Sequence, residues 1–195
     1  MHALLVRQML DRIDATNAAI DQLDAAIEER LAPFAAKLAR LQTIPGVGRR
    51  IAEVIIAETG GDMRRFPSPA HLASWAGLAP GLNQSAERRG STRCRPGNAH
   101  LASAMVEAAR AAARSRNTYP AAQYQRLRRR GGNIAAVAVA RSLLVAAWHV
   151  LADDVDYRDL GGDYFQRRVD PKRRARHLIT QLEAIGYHVS VQPAA

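Results

Sequence analysis

One serine in this 195-residue sequence has neighbours that suit phosphoryl transfer. Ser85 lies in a segment framed by glycines, and four arginines follow it within ten residues: Arg88, Arg89, Arg93 and Arg95. A serine hydroxyl that attacks a phosphodiester must lose its proton, and the charge that develops on the phosphate must be stabilised. Clustered guanidinium groups meet the second need. On spacing alone, a loop serine beside arginines is more often an ordinary loop residue, so both interpretations stay open.

The turn at Gly46 and Gly48 is a second candidate site. An apolar helix, a Gly-x-Gly turn and a second apolar helix predict a helix-hairpin-helix motif over residues 42–60. We expect one glycine to have a positive φ and both to let backbone N–H groups approach a phosphate. The helix that starts near Arg49 and Arg50 would add its own N–H groups and positive charge. Such contacts fix position on a duplex without reading its sequence. The alternative is an ordinary tight connection between two helices.

The distribution of charge supports a nucleic-acid partner. The net charge is +10, and residues 84–130 alone carry 11 basic and 2 acidic side chains. All eleven basic residues in that stretch are arginine, whose planar fork matches a phosphate with two parallel hydrogen bonds. A GC-rich genome would explain arginine in place of lysine, but it would not explain the clustering.

The first 41 residues have the pattern of a coiled coil. Apolar residues recur every seven positions at Val6, Ile13, Ile20, Ile27, Phe34 and Leu41. A stripe of this length predicts one long helix that pairs with a partner helix, and hence a homo-oligomer. Asn17 interrupts the apolar seam, and Pro33 predicts a kink or a new helix start. A lone helix packed on its own domain is the alternative.

The remaining sequence predicts an all-α protein. Ser68 and Pro69 begin a short helix that ends near Gly77, and a basic loop or short hairpin follows over 77–97. Apolar spacing predicts helices over about 98–116, 118–130, 133–152 and 170–184, with one short strand allowed within 186–191. We therefore divide the chain into a coiled-coil helix at 1–41, a central domain at 42–166 and a C-terminal helix and tail at 167–195.

Several classes of site and location are disfavoured. Cys94 is the single cysteine, so neither a disulfide framework nor a cysteine-rich zinc site is expected. Asp153, Asp154, Asp156, Asp159 and Asp163 could bind a metal, but turn capping and pairing with Arg158, Arg167 and Arg168 fit that segment better. We expect no metal site. The N-terminus lacks a secretory signal pattern and no apolar run is expected to approach the ~20 residues of a membrane span, which indicates a cytoplasmic protein without a membrane partner.

A series of motifs resembles the C-terminal part of the transposases of the insertion-sequence 110/116/902 family. In order, these are Thr-Ile-Pro-Gly-Val-Gly at 43–48, Phe-Pro-Ser-Pro at 66–69, Leu-Ala-Ser-Trp-Ala-Gly-Leu-Ala-Pro at 72–80, Gln-Ser at 84–85, Arg-Pro-Gly-Asn-Ala-His-Leu at 95–101 and Tyr-Arg-Asp-Leu-Gly-Gly-Asp-Tyr-Phe at 157–165. With the helical lead-in that precedes them, the resemblance covers about 160 of the 195 residues. Each is unspecific alone, whereas their order is specific.

The resemblance implies a site-specific DNA recombinase that works with a structured guide RNA. In that family Ser85 matches the serine nucleophile, although Ala86 stands where glycine is usual. The family also has an N-terminal RuvC-like nuclease domain whose acids bind magnesium. This chain begins at the coiled coil, so the resemblance predicts a truncated or split transposase with no cofactor of its own. A non-catalytic helical module that binds DNA or RNA is the alternative function.

Overall fold

The fold is helical, as predicted, apart from one short β-ladder. The computed structural model describes residues 2–81, 84–85, 88–89, 94–168 and 170–190. The N-terminal stretch forms α1 (His2–Leu31), a 3-10 turn (Ala32–Phe34) and α2 (Ala35–Leu41). Pro33 lies in the 3-10 turn, so the predicted break occurs where proline removes a backbone donor.

Helix α1 has almost no tertiary support of its own. It contains no buried residue, and Met9, Ile13 and Leu23 are each more than half exposed. Core burial starts in α2, at Leu38 and Leu41. The apolar seam of α1 is therefore left uncovered along most of its length.

The next two helices are short, and the second begins at the cap that the sequence predicts. Helix α3 (Arg49–Thr59) follows the Gly-x-Gly turn, and a 3-10 turn (Met63–Arg65) leads to α4 (Pro69–Trp75). Ser68 accepts a hydrogen bond from the His71 N–H and caps α4. Beyond α4, strands β1 (Gln84–Ser85) and β2 (Arg88–Arg89) pair antiparallel.

Helix α7 is the centre of the core. It runs from Gly132 to Ala152 and contacts α4, α5 (Ala99–Ala112) and α6 (Tyr119–Arg128). Alanines on α5 and α7 let the backbones approach closely, and Leu101, Met105, Leu143 and Leu144 fill the space between them. Length and composition alone would let α7 cross a membrane. Half of that apolar window is buried inside the domain, which is typical of a core helix.

The C-terminal region continues as α8 (Tyr164–Arg167) and α9 (Pro171–Ala184). Asp170 caps α9 by accepting from the Lys172 N–H at 3.0 Å. Residues 187–190 follow as irregular backbone. The short strand that the sequence allowed there does not form within the described residues.

Candidate nucleic-acid interface

Two glycines close the base of the segment that carries Ser85. Gly77 has φ +74°, and a Cβ added to it would lie 2.9 Å from the backbone nitrogen of Gly97. A Cβ on Gly97 would lie 2.6 Å from the Cα of Gly77. A side chain at either position would overlap the backbone of the other strand of the crossing. The two ends of the 77–97 loop can therefore approach this closely only because both residues are glycine.

Asn98 ties that crossing to three helices. Its backbone N–H donates to the Trp75 carbonyl at 3.0 Å, at the end of α4. Its Oδ1 accepts from the Leu101 N–H at 2.9 Å and so caps α5, while its Nδ2 donates to Glu58 Oε2 of α3 at 2.6 Å. The loop therefore starts and ends on the rigid core.

Within the loop, the described backbone forms a hairpin. Ser85 pairs with Arg88, and Gln84 pairs with Arg89 across the two strands. The loop-or-hairpin prediction is confirmed at this level. Only the backbone of Ser85, Arg88 and Arg89 is described, and Arg93 lies outside the described residues. The role of these four side chains stays a prediction.

A large cavity lies beside the loop. Its volume is about 1110 Å³, and Leu78, Pro80 and Cys94, at the two ends of the loop, contribute to its wall. The other walls come from α6, from one face of α7 and from residues 157–160. The loop ends, the central helix and the last sequence motif therefore meet in one place.

Three arginines in this region lack carboxylate partners among the described residues. Arg141 and Arg158 line the cavity, and Arg95 lies on the returning end of the loop. All three side chains are exposed, and none forms an ion pair with another described residue. We call Arg95, Arg141 and Arg158 the cavity arginines. Their charge is available to an anionic ligand.

Tyr119 and Tyr157 border the cavity as neutral phenols. Burial is the main cause that raises the pKa of both hydroxyls above the ordinary value, and Tyr164 also raises the pKa of Tyr119. Asp159 adds to the shift of the Tyr157 pKa. Neither ring therefore presents a negative charge to a phosphate at neutral pH.

Asp159 holds the last motif against α6. Its Oδ1 accepts from the backbone N–H groups of Tyr119, at 2.9 Å, and Gly161, at 2.6 Å. Gly162 donates its own N–H to the Asn117 carbonyl at 3.0 Å. The motif at 157–165 thus shapes one wall of the cavity.

The neighbouring aspartates make ion pairs, of which the one between Asp163 and Arg167 was predicted from the sequence. Asp163 pairs with Arg167 at 3.0 Å, Asp153 with His149 at 3.2 Å, and Asp154 with Arg40. Within the described ranges, no three His, Cys, Asp or Glu side chains form a group that could hold a metal ion. The described residues therefore do not fit a magnesium site.

The two glycines of the Gly-x-Gly turn have different structural roles. Gly46 has φ +86°, as expected for one of the pair, but a Cβ there would lie 2.7 Å from the backbone nitrogen of Ala112. Gly46 therefore packs against the end of α5. Among the described residues, no heavy atom lies within 4 Å of a Cβ added to Gly48, and no side chain caps α3 there. Of the two, Gly48 alone leaves open space for a ligand.

The two arginines after the turn are engaged by acids. Arg49 contacts Glu28 of α1 at 2.7 Å and Glu53 at 2.9 Å, and Arg50 lies 3.5 Å from Glu53. The pKa of Arg49 is raised above its ordinary value, first by the hydrogen bond to Glu53 and then by the charge of Glu28. We call Gly46, Gly48, Arg49 and Arg50 the hairpin turn. Its binding to phosphate stays a prediction.

Charge and architecture define a basic helical domain with an arginine-lined cavity. Residues 38–126 match the model of the family described as Transposase IS116/IS110/IS902 family. That match contains the hairpin turn, the serine loop and its anchor at Asn98. The chain carries a transposase domain of the IS116/IS110/IS902 family.

Curated relatives agree with this assignment. The chain is similar to a probable family 20 transposase of Pseudomonas aeruginosa, at 27% identity over 79% of this chain and 46% of the relative. It is similar to an uncharacterized 43.6 kDa protein of insertion element IS110 from Streptomyces coelicolor, at 38% identity over 60% of this chain and 29% of the relative. A 42 kDa protein of IS900 from Mycobacterium paratuberculosis is 33% identical over 80% of this chain and 39% of the relative. The chain spans less than half the length of these relatives.

Proposed function

We propose that this chain supplies the DNA-binding and serine-bearing region of an insertion-element recombinase. The observation that carries the proposal is the match over residues 38–126, which includes Ser85 within a loop anchored to the core at Gly77, Gly97 and Asn98. Reactive groups must be held in a fixed geometry to be efficient, and a loop with two fixed ends provides this.

The proposed chemical step is a transesterification. The Oγ of Ser85 forms a bond to the DNA phosphorus while the bond from phosphorus to one deoxyribose oxygen breaks. The serine proton passes to a base and the leaving oxygen gains a proton, so a phosphoserine link replaces a phosphodiester. Arg88, Arg89, Arg93 and Arg95 are proposed to hold the strand and to offset the charge on the phosphate.

A composite site is part of the proposal. Recombination by this family requires a nuclease domain with bound magnesium, and the described residues provide no metal site. We propose that such a domain acts together with the serine loop in the complete assembly. A structured guide RNA is a further proposed partner, supported by the arginine-rich stretch at 84–130.

The test of the proposed nucleophile is a covalent-product assay with Ser85→Ala. The nuclease domain of a full-length relative is supplied in trans, or fused to this chain, with a nicked DNA target. Wild type should give a DNA-linked protein band on a denaturing gel, and Ser85→Ala should lose the band while duplex binding is nearly unchanged. Thr118→Ala, which changes a hydroxyl residue at the α6 cap, is the matched control and should keep the band.

Two outcomes would contradict the proposal. A band that persists in Ser85→Ala places the nucleophile elsewhere. If the rebuilt wild-type protein gives no band but still binds DNA or RNA, the chain is a non-catalytic binding module.

A further inference from the structure

The described helices cover one apolar face of α7 only in part. The buried face of α7 packs on α4 and α5, yet Ile134, Val137, Ala138 and Val145 on another face line the cavity. Ile134 is 58% exposed. Removing an apolar helix surface from water is favourable. This face therefore favours a ligand that has an apolar surface of its own.

Polar groups are set into the same cavity wall. Gln123 Nε2 donates to Ser142 Oγ at 2.9 Å, and Ser142 Oγ donates to the Ala138 carbonyl at 3.2 Å. Gln123 Oε1 is buried and accepts no hydrogen bond from any described residue. Because buried amide oxygens normally have a partner and Gln123 lines the cavity, this oxygen favours a ligand that carries an N–H group.

The rim adds aromatic rings and positive charge. Tyr119 and Tyr157 border the cavity, and Arg141 and Arg158 stand beside them without ion-pair partners among the residues described. Flat apolar surface, aromatic rings, an amide and arginines are the groups with which proteins bind unstacked nucleobases and their phosphates. A purely hydrophobic ligand would leave the amide and the guanidinium groups unused.

We propose that the cavity binds an unstacked nucleobase from the strand whose phosphate lies at the serine loop. Leu78, Pro80 and Cys94 place the cavity at the ends of that loop, so base and phosphate can belong to neighbouring nucleotides. A volume of about 1110 Å³ accommodates a nucleotide with its sugar. This inference rests on the proposed function, because it assigns a base-binding site to the same DNA substrate.

The test compares duplexes that differ at one position. One duplex carries a bulged 2-aminopurine, a second carries an abasic bulge at the same place, and a third is fully paired; all three are prepared as DNA and as RNA. The wild-type chain should bind the bulged base at least about fivefold tighter than the abasic bulge, because only the former supplies a ring to stack. The fluorescence of 2-aminopurine should change on binding.

The matched variants fill the cavity or leave it open. Ala138→Trp places an indole in the cavity and should bring the ratio of base-bulge to abasic-bulge affinity close to one, without changing paired-duplex affinity. Ala39→Trp adds the same ring to an exposed position of α2 and should preserve the ratio. Circular dichroism melting identifies a variant that fails to fold, in which case Val137→Phe replaces Ala138→Trp.

Each outcome decides the inference. A preference for the base in DNA that Ala138→Trp removes supports the inference, whereas a preference confined to RNA overturns the assignment of the base to the DNA substrate. A ratio near one in wild type, or one that Ala138→Trp does not change, overturns the inference but not the proposed DNA binding. If Ala138→Trp instead alters the oligomeric state, the cavity is an interface between copies. A chain that binds no duplex at all overturns the proposed function as well.

Discussion

The hairpin turn and the serine loop present the same residue types, glycine followed by arginine, but the fold uses them differently. In the hairpin turn, Gly46 packs against α5 and Arg49 pairs with two carboxylates. In the serine loop, Gly77 and Gly97 close the base, while Arg95 and the neighbouring Arg141 and Arg158 have no ion-pair partner in the described ranges. A Gly-x-Gly-Arg sequence therefore does not identify a phosphate site until its acidic neighbours are known.

The largest expected effect is on stability, at Gly46. Gly46→Ala should lower the free energy of unfolding by about 3 kcal/mol or more, because the new Cβ meets α5 and because alanine is strained at φ +86°. Thermal unfolding should show a midpoint lowered by roughly 6–12 °C. Gly48→Ala is the control and should stay within about 1 kcal/mol, since open space surrounds that position. Equal losses in the two variants would contradict the division of tasks between the glycines.

Removing the anchor of the serine loop should have a smaller effect on stability. Asn98→Ala loses the cap of α5 and the bond to Glu58, at a cost of about 2 kcal/mol in the free energy of unfolding. Because the loop ends move with Asn98, the yield of the covalent DNA product should fall even at temperatures where the variant is folded. Asn98→Asp keeps the cap and places a carboxylate beside Glu58, so it separates the two contributions. An unchanged yield with Asn98→Ala would show that the loop needs no anchor.

Assembly through α1 should change without a loss of stability. Ile20→Asp combined with Ile27→Asp should convert dimers or larger species to monomers, because both residues lie on the apolar seam of a helix that has no buried residue. Sedimentation at tens of micromolar measures this, and Ala18→Asp with Ala25→Asp, off the seam, is the matched control. A wild-type chain that is already monomeric at that concentration would refute self-association.

Local features of the fold were predictable from single residues. Pro33 marks the break between α1 and α2, and Ser68 and Asp170 cap the helices that follow them. These signals are local because a cap or a proline acts within one helical turn. The all-helical fold and most helix positions followed from these signals together with the spacing of apolar residues.

Contacts between distant residues were not predictable. Arg40 pairs with Asp154, and Gly77 crosses Gly97, because packing brings separate segments together. One of the two acids that pair with Arg49 belongs to α1. The spacing of residues 42–60 does not indicate that α1 lies close to the turn. The cavity was missed for the same reason, since its wall combines α6, α7 and both ends of the loop. The one local feature that pointed toward the cavity was the length and apolar composition of α7.

Neutralising the acids of the hairpin turn sharpens the comparison. Glu28→Gln frees Arg49 from its partner on α1, and it should raise duplex affinity by a few-fold at most. Glu29→Gln, one residue further along the exposed helix, is the control for the change in net charge. Fluorescence anisotropy with a labelled duplex measures both variants. A tenfold or larger gain with Glu28→Gln would show that the turn lies closer to DNA than its ion pairs indicate.

The most direct measurement compares how duplex binding depends on salt when two charges are removed from each region. Arg95 is proposed to hold the DNA strand and Arg158 to bind a phosphate beside the cavity, whereas Arg49 and Arg50 are engaged by acids of α1 and α3. Wild-type affinity should fall by roughly a thousandfold between 50 and 200 mM salt if about six phosphates are neutralised. Arg95→Ala with Arg158→Ala should reduce the slope of log affinity against log salt by about two, and Arg49→Ala with Arg50→Ala by less than one. The reverse order, or equal slopes in the two double variants, would contradict the assignment of phosphate binding to the cavity region.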